Sequence, residues 1–368
     1  MVRTSSCYYA VILALLLVVT AAVYAPLRHA PFVYEDENWM AVAETGPAWT
    51  ARPSRALTYE TFHVTYQAVK LSPAVWHLTN VGLHLANGVL VFAVAATVIG
   101  APSALSAAGL FLLHPLNAEA VSYVSGRVEL LSTFFVLLAV WVVLGSGYWL
   151  ARTIGCVLAL IGAALSKEIG VVGVPLVLLT LACWRRKSIT RLTPLAVCLW
   201  VVVGASLGTI WEQLQSYLVM SPRAGGSVLS VQEYALYQAG MVWKFLVMTV
   251  WPVGLSIDHD VLQFGTTWLA LSAFGVVVAV VIAVLAWRVS PATTWAVGWM
   301  ALALAPRFLV RTNEFLSEHQ MYLALIGVWI GMSATVVTAC RTVASMDAEF
   351  WETYQEEYRM LMSPKESA

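Results

Sequence analysis

Uninterrupted apolar runs leave this chain few ways to fold. Tyr9–Tyr24, Trp76–Ile99, Leu130–Leu144 and Trp268–Trp287 contain no Asp, Glu, Lys or Arg. A helix crosses a bilayer with about 20 apolar residues. Backbone polar groups in lipid must bond within the chain, so runs this long and continuous mean helices, not barrel strands. Only 11% of the chain is charged and 60% is hydrophobic, where a soluble domain carries about 25% charge. The sequence therefore predicts an all-α polytopic membrane protein with about 10–11 spans. Net charge is zero and the longest basic run is Arg185-Arg186-Lys187, which argues against nucleic acid as a partner. Five cysteines lie in or beside apolar runs without CxxC spacing and read as packing residues.

The scarce polar residues are clustered. Glu35, Asp36 and Glu37 follow the first span between aromatics, where three acids together mark either a functional loop or a solvated one. Arg3 before the first span predicts a cytoplasmic N-terminus and an extracytoplasmic acidic loop. An uncleaved anchor suits this span better than a signal peptide, since more membrane protein follows. Tyr59, Phe62, Tyr66 and Val69 fall at helical spacing, predicting an amphipathic surface helix in the same loop. Arg185-Arg186-Lys187 with Arg191 marks a later cytoplasmic loop, six spans on. Residues 211–232, with Pro222, Gly225 and Gly226, read as a flexible loop suited to a lid. Between 233 and 265 the topology stays open: Tyr234–Trp251 either spans, or dips into the outer face and brings Asp258-His259-Asp260 outside. The positive-inside rule favours the second arrangement. The expected units are a membrane domain over 1–340 and a short acidic amphipathic tail over 341–368.

Within the spans, His77, Asn80, His84 and Asn87 make one polar stripe at helical spacing, predicted to face other helices or a site wall. His114-Pro115 breaks the next helix. Beyond it, Glu119, Tyr123 and Arg127 follow at i, i+4 and i+8 and are expected to share one helical face, with Glu129 on another. Ser166-Lys167-Glu168 lies between two spans, and Arg307, Arg311, Glu318 and His319 precede the last one.

Taken in order, the stretches Phe32–Asp36, Arg52-Pro53, His77–Asn80 with His84 and Asn87, His114–Val121, Gly126–Leu131, Ser166–Glu168, Pro252–Asp260 and Glu318–Leu323 resemble a known family. It is the membrane region of the transmembrane and TPR-containing protein O-mannosyltransferases and their bacterial relatives, over roughly residues 10–340. The resemblance implies a GT-C-like glycosyltransferase that takes sugar from a polyprenyl-phosphate donor. It also implies a bacterial inner (cytoplasmic) membrane setting and an active site on the extracytoplasmic side. The family usually has two aspartates where Glu35 and Asp36 stand, and often Arg where Gln320 stands. No TPR repeats follow the last span, so the resemblance does not carry the acceptor, protein or glycan, with it.

The residue types suit that chemistry. Glu35 or Asp36 could take a proton from the acceptor, with inversion as the outcome of a single displacement. A departing phosphate calls for fixed positive charge, available at Arg52, Arg127, Lys167, Arg307 and Arg311. His84, His114, His259 and His319, with Glu119 and Glu318, complete the candidate substrate site, and Glu35 or Asp36, Arg127 and His319 are expected to converge on one cavity at the outer leaflet. No cofactor is required by the sequence; Asp36, Asp258 and Asp260 would suit a divalent metal such as Mg or Mn. Two other functions use similar residues: a lipid-linked sugar flippase or transporter, and a non-catalytic membrane partner of the same fold. No inverted repeat favours the transporter.

Overall fold

The computed structural model describes residues 2–33, 36–46, 55–184, 222–224, 227–256, 259, 264–287, 290–312 and 314–362. In chain order the helices are α1 (Val2–Tyr24), α2 (Asp36–Thr45), α3 (Ala56–Val69), α4 (Pro73–Ile99), α5 (Ala101–Leu113), α6 (Ala118–Ser122) and α7 (Arg127–Leu144). They continue with α8 (Trp149–Ser166), α9 (Gly173–Trp184), α10 (Val231–Val250), α11 (Thr266–Ala286), α12 (Pro291–Leu309) and α13 (Met321–Met362). Short 3-10 turns link several of them, and one antiparallel pair of two-residue strands joins Arg223–Ala224 to Ser227–Val228.

Among the described residues, six helices are long and apolar enough to cross a membrane, or seven if the bent pair around Pro115 counts as one span. The chain is an all-α, multi-pass integral membrane protein. The span expected at 192–210 and most of the expected lid lie outside the described residues. Helix α13 runs on past residue 340 to Met362 without a break.

Local chemistry sets the helix ends. Pro73 and Pro291 open α4 and α12 in the first turn, where the missing N–H costs nothing. Ser230 and Glu233 form a reciprocal capping box at the start of α10, satisfying two donors that would otherwise be orphaned.

Helix α7 is the most enclosed of the long apolar helices, packing on α4, α8 and α9. Helices α1 and α11 are peripheral and expose Leu15, Val18, Val23, Leu271, Phe274 and Leu285, as lipid-facing surfaces must. A second core lies at one end of the bundle. There α2 and α3 bury Trp39, Met40, Tyr59 and Phe62 against Trp76 of α4 and Val124 and Val128 beside the start of α7. The amphipathic helix expected in the first loop is therefore α3, with Thr58, Tyr59 and Phe62 buried.

One sequence expectation fails here. Helix α6 ends at Ser122, and a short non-helical link precedes α7 at Arg127. Glu119, Tyr123 and Arg127 thus share no helical face. Gly126 permits the link: a Cβ there would collide with the carbonyl of Ala120. Gly126→Ala is expected to destabilise the fold by about 1–3 kcal/mol, lowering the thermal unfolding midpoint in detergent. An unchanged midpoint would mean that the link yields without cost.

Candidate active site

The site is built around two helix breaks, and sequence alone dictates what they need. Pro115 has no N–H for the carbonyl of Phe111, and the turn it forces removes the partner of Leu112. Asn117 Nδ2 donates to Phe111 O at 2.6 Å, and His84 bonds Leu112 O through Nε2 at 3.0 Å. His114 Nδ1 accepts from Leu116 N, while its Nε2 bonds Thr249 O at 3.0 Å near the end of α10. The second break, between α6 and α7, leaves carbonyls at Ser122 and Tyr123. They are bonded by His77 Nδ1 at 2.8 Å and Asn80 Nδ2 at 2.5 Å, and Asn87 Nδ2 donates to Leu130 O at 2.9 Å. Tyr322 ties the stripe to α13 through His84 Nδ1 and Asn87 Nδ2.

The polar stripe on α4 thus faces other helices, as lipid demands, but its members bond backbone rather than line a cavity. His84 and His114, expected to bind substrate, are both engaged in this way.

Arg127 is likewise engaged within the fold. It is fully buried, with Nε on Asn80 Oδ1 at 3.1 Å, Nη1 on Thr65 Oγ1 and Thr61 O, and Nη2 on Trp76 O. Its guanidinium lies 4.6 Å from the Phe62 ring centroid and 5.2 Å from that of Trp76, a cation–π arrangement. Arg127 clamps α3, α4 and α7 together, and these hydrogen bonds reach neither Asp36 nor His319.

The remaining charges do meet. Glu119 accepts from the backbone N–H of His319 at 2.8 Å, from Ser317 Oγ at 3.2 Å and from His319 Nδ1 at 2.6 Å. His319 Nε2 lies 3.8 Å from Glu129 Oε1, and Glu129 is ion-paired with Lys167. Glu318 Oε1 accepts from Ser256 N at 2.7 Å and pairs with His259 Nε2 at 3.1 Å. Arg55 Nε donates to both oxygens of Glu168, at 2.9 and 3.0 Å. Lys167 also lies within electrostatic reach of Arg55, Glu168, Arg307 and Glu314. Arg307 bonds Gln238 Oε1 and the carbonyls of Glu314 and Phe315, fixing the segment that leads to Glu318 and His319. Arg311 follows in the same segment.

The first loop docks onto the α6–α7 link. Asp36 is fully buried; its Oδ1 accepts from Ser125 N at 3.1 Å and its Oδ2 from Val33 N at 3.4 Å. Burial holds its carboxyl above the usual carboxylate range, partly offset by those N–H groups and by nearby His77. Glu35, Arg52, Asp258 and Asp260 lie outside the described residues. Among the described residues, no group of three His, Cys, Asp or Glu side chains is arranged to hold a metal ion.

Arg55 and Ser317 escaped the sequence reading as site residues, and Glu129 and Glu168, noted there, were given no role at the site. Glu129 offered a signal, because a carboxylate in an otherwise apolar run must find a partner. His77 is buried beside the docked loop, and its Nε2 has no hydrogen-bond partner among the described residues.

A multi-pass helical protein with a charged cluster at one end of its helix breaks is the class these features define. Comparison with known proteins narrows it. The chain is similar to protein O-mannosyl-transferase TMTC3 of Mus musculus, 40% identical over 85 residues, which are 23% of this chain and 9% of the relative. It is 33% identical to protein O-mannosyl-transferase Tmtc1 of Drosophila melanogaster over 139 residues, 32% of this chain and 16% of that one. The longest of these matches is to protein O-mannosyl-transferase F38B6.6 of Caenorhabditis elegans, 26% identical over 215 residues, 56% of this chain and 30% of the relative. The chain therefore resembles these proteins over a minor part of their length. No family model matches, and no solved structure matches.

Arg127→Met is expected to destabilise the fold by about 1–3 kcal/mol, because it leaves Asn80 Oδ1 and the Trp76 carbonyl without their donor. Thermal unfolding in detergent would register the loss as a lowered midpoint. An unchanged midpoint would mean that Arg127 is not needed to hold α3, α4 and α7 together.

Proposed function

We propose that this protein is an integral membrane glycosyltransferase of GT-C type, moving a sugar from a polyprenyl-phosphate donor to an extracytoplasmic acceptor with inversion. The proposed setting is a bacterial cytoplasmic membrane with the charged cluster on the outer side. The observation that carries this reading is the docking of the first-loop acid, through Asp36 and Ser125, onto the same broken-helix segment that holds Glu119 against His319. The partial similarity to proteins named protein O-mannosyl-transferases supports it independently.

In this reading a first-loop carboxylate, Asp36 or its neighbour Glu35, takes the proton of the acceptor hydroxyl. A base needs a pKa brought towards the working pH, and burial moves Asp36 in that direction. The acceptor oxygen attacks the anomeric carbon, and the sugar–phosphate bond breaks with its electron pair leaving on phosphate. Lys167 and Arg307 supply positive charge for that phosphate. Glu119 and Glu129 hold His319 between them, and Glu318 orients His259 towards the same region.

The test is transfer of label from polyprenyl-phosphate sugars to an envelope acceptor fraction in proteoliposomes, comparing wild type with Glu35→Gln and Asp36→Asn. The variant that removes the base is expected to lose at least about a hundredfold in turnover. If Asp36 is the base, the wild-type rate should fall about tenfold per pH unit below its raised pKa, where the carboxyl holds its proton. Label that stays on lipid yet crosses the bilayer in all three proteins would sink the transferase and favour a flippase.

A further inference from the structure

The approach of α6 and α7 to the start of α13 puts one imidazole between two carboxylates. Glu119, on α6, takes His319 Nδ1 at 2.6 Å through Oε1 and the His319 backbone N–H at 2.8 Å through Oε2. Ser317 Oγ belongs to the same side of the ring, 2.6 Å from Nδ1 against 3.5 Å from Nε2. Both oxygens of Glu119 thus serve one residue and fix the ring with Nε2 directed away. Glu129, in the first turn of α7, stands on that side, its Oε1 3.8 Å from Nε2. Hydrogen bonds of this kind close at about 2.7–3.2 Å, so the two atoms face each other without bonding. His319 keeps 27% of its side chain exposed and Glu129 8%, so a ligand reaches the pair past the ring rather than through the helices.

Hydrogens decide what can enter. Glu129 as a carboxylate only accepts. In the imidazolium form, with one N–H given to Glu119, Nε2 only donates. A ligand oxygen about 2.8 Å from both atoms closes a triangle on that base, and it must give one hydrogen bond and take another. A hydroxyl does both. A phosphate oxygen has no proton for Glu129 and would meet repulsion from Glu119 and Glu318, which already act on each other. An ammonium has no lone pair for Nε2.

The neighbours select which hydroxyl. Glu129 is ion-paired with Lys167, and Lys167 is within electrostatic reach of Arg307. In the transferase reading these two cations take the donor's phosphate, so the part of the donor next to the phosphate, its sugar, falls at Glu129. The hydroxyl of the acceptor is met instead by the first-loop acid. We propose that Glu129 and His319 grip one hydroxyl of the donor sugar between them and so determine which sugar the site takes. This inference rests on the transferase reading for the identity of the donor. It makes Glu129 a sugar-binding residue and Glu119 the positioning residue that presents the ring.

The test reads discrimination between donors. Full-length protein in nanodiscs, without acceptor, is given polyprenyl-phosphate glucose, galactose and mannose, their monodeoxy forms and bare polyprenyl phosphate. Affinity is measured by displacement of a fluorescent prenyl phosphate. The panel is repeated with Glu129→Gln, with His319→Gln and with Glu129→Asp, which keeps Lys167 paired but draws the carboxylate back from Nε2. Unfolding midpoints are checked, and kcat/KM for transfer is measured in proteoliposomes from the same preparations. Wild type should bind at least one sugar donor more tightly than bare prenyl phosphate and lose about tenfold or more when one particular hydroxyl is removed. Each folded variant should bring that ratio to within about twofold of unity, while preferences at the other hydroxyls stay. Disturbing Lys167 affects donors with and without the hydroxyl alike and cancels in the ratio. Wild type indifferent to every hydroxyl, or a ratio unchanged in a folded variant, overturns the proposal. Intact donor ratios with a raised acceptor KM also overturn it, since they would give the hydroxyl to the acceptor. Transfer that persists with unchanged ratios leaves the transferase reading standing; a hydroxyl preference lost in the variants, without transfer from any donor, overturns that reading and leaves the sugar site.

Discussion

Carbonyl groups freed at helix breaks inside an apolar bundle govern this structure. Water is not there to receive them, and each one left bare would cost several kcal/mol. The chain breaks its helices at Pro115 and again at Tyr123–Gly126. Side chains then close the accounts: Asn117 takes Phe111 O, His84 takes Leu112 O, His77 takes Ser122 O and Asn80 takes Tyr123 O. Most of these come from a single stripe on α4, so one straight helix acts as the template against which the broken one is shaped.

That template has a consequence for the charges. Because both breaks are pinned, the segment Pro115–Ser122, which includes α6, is held between them, bent 54° from α5. Its carboxylate, Glu119, meets the backbone N–H of His319 rather than lipid. Arg127 then locks the start of α7 to α3 and α4, which places Glu129 opposite Lys167. The cluster is assembled by elements whose freed carbonyls are already bonded, and its charges remain to act on one another and on whatever enters. In a low-dielectric setting such charges interact far more strongly than in water.

The fold class was legible from the apolar runs, and α3 from the spacing of Tyr59, Phe62 and Tyr66. The polar stripe was legible as facing inward, since lipid excludes it. Its purpose was not, because the carbonyls that His77 and Asn80 serve belong to residues more than forty positions away. The face predicted for Glu119, Tyr123 and Arg127 failed for a related reason. Helical periodicity assumes an unbroken helix, and Gly126 permits the approach to Ala120 that breaks it. Arg55, in turn, needed Glu168 to give it meaning, a pairing across 113 residues.

The polar residues of the spans thus sort by what they touch. Those that bond main-chain carbonyls, such as His84, His114 and Arg127, commit donors to the fold. Those that bond one another, such as Glu119 with His319 and Glu318 with His259, keep acceptor and donor capacity near a shared end of the bundle. A histidine at helical spacing in an apolar run looks the same in sequence in either case. Proximity to a proline or glycine break is the feature that separates them here: a break creates carbonyls, and the nearest histidines and asparagines answer to those before any substrate. Arg307 stands between the two groups, spending its hydrogen bonds on the carbonyls of Glu314 and Phe315 while acting electrostatically on Lys167.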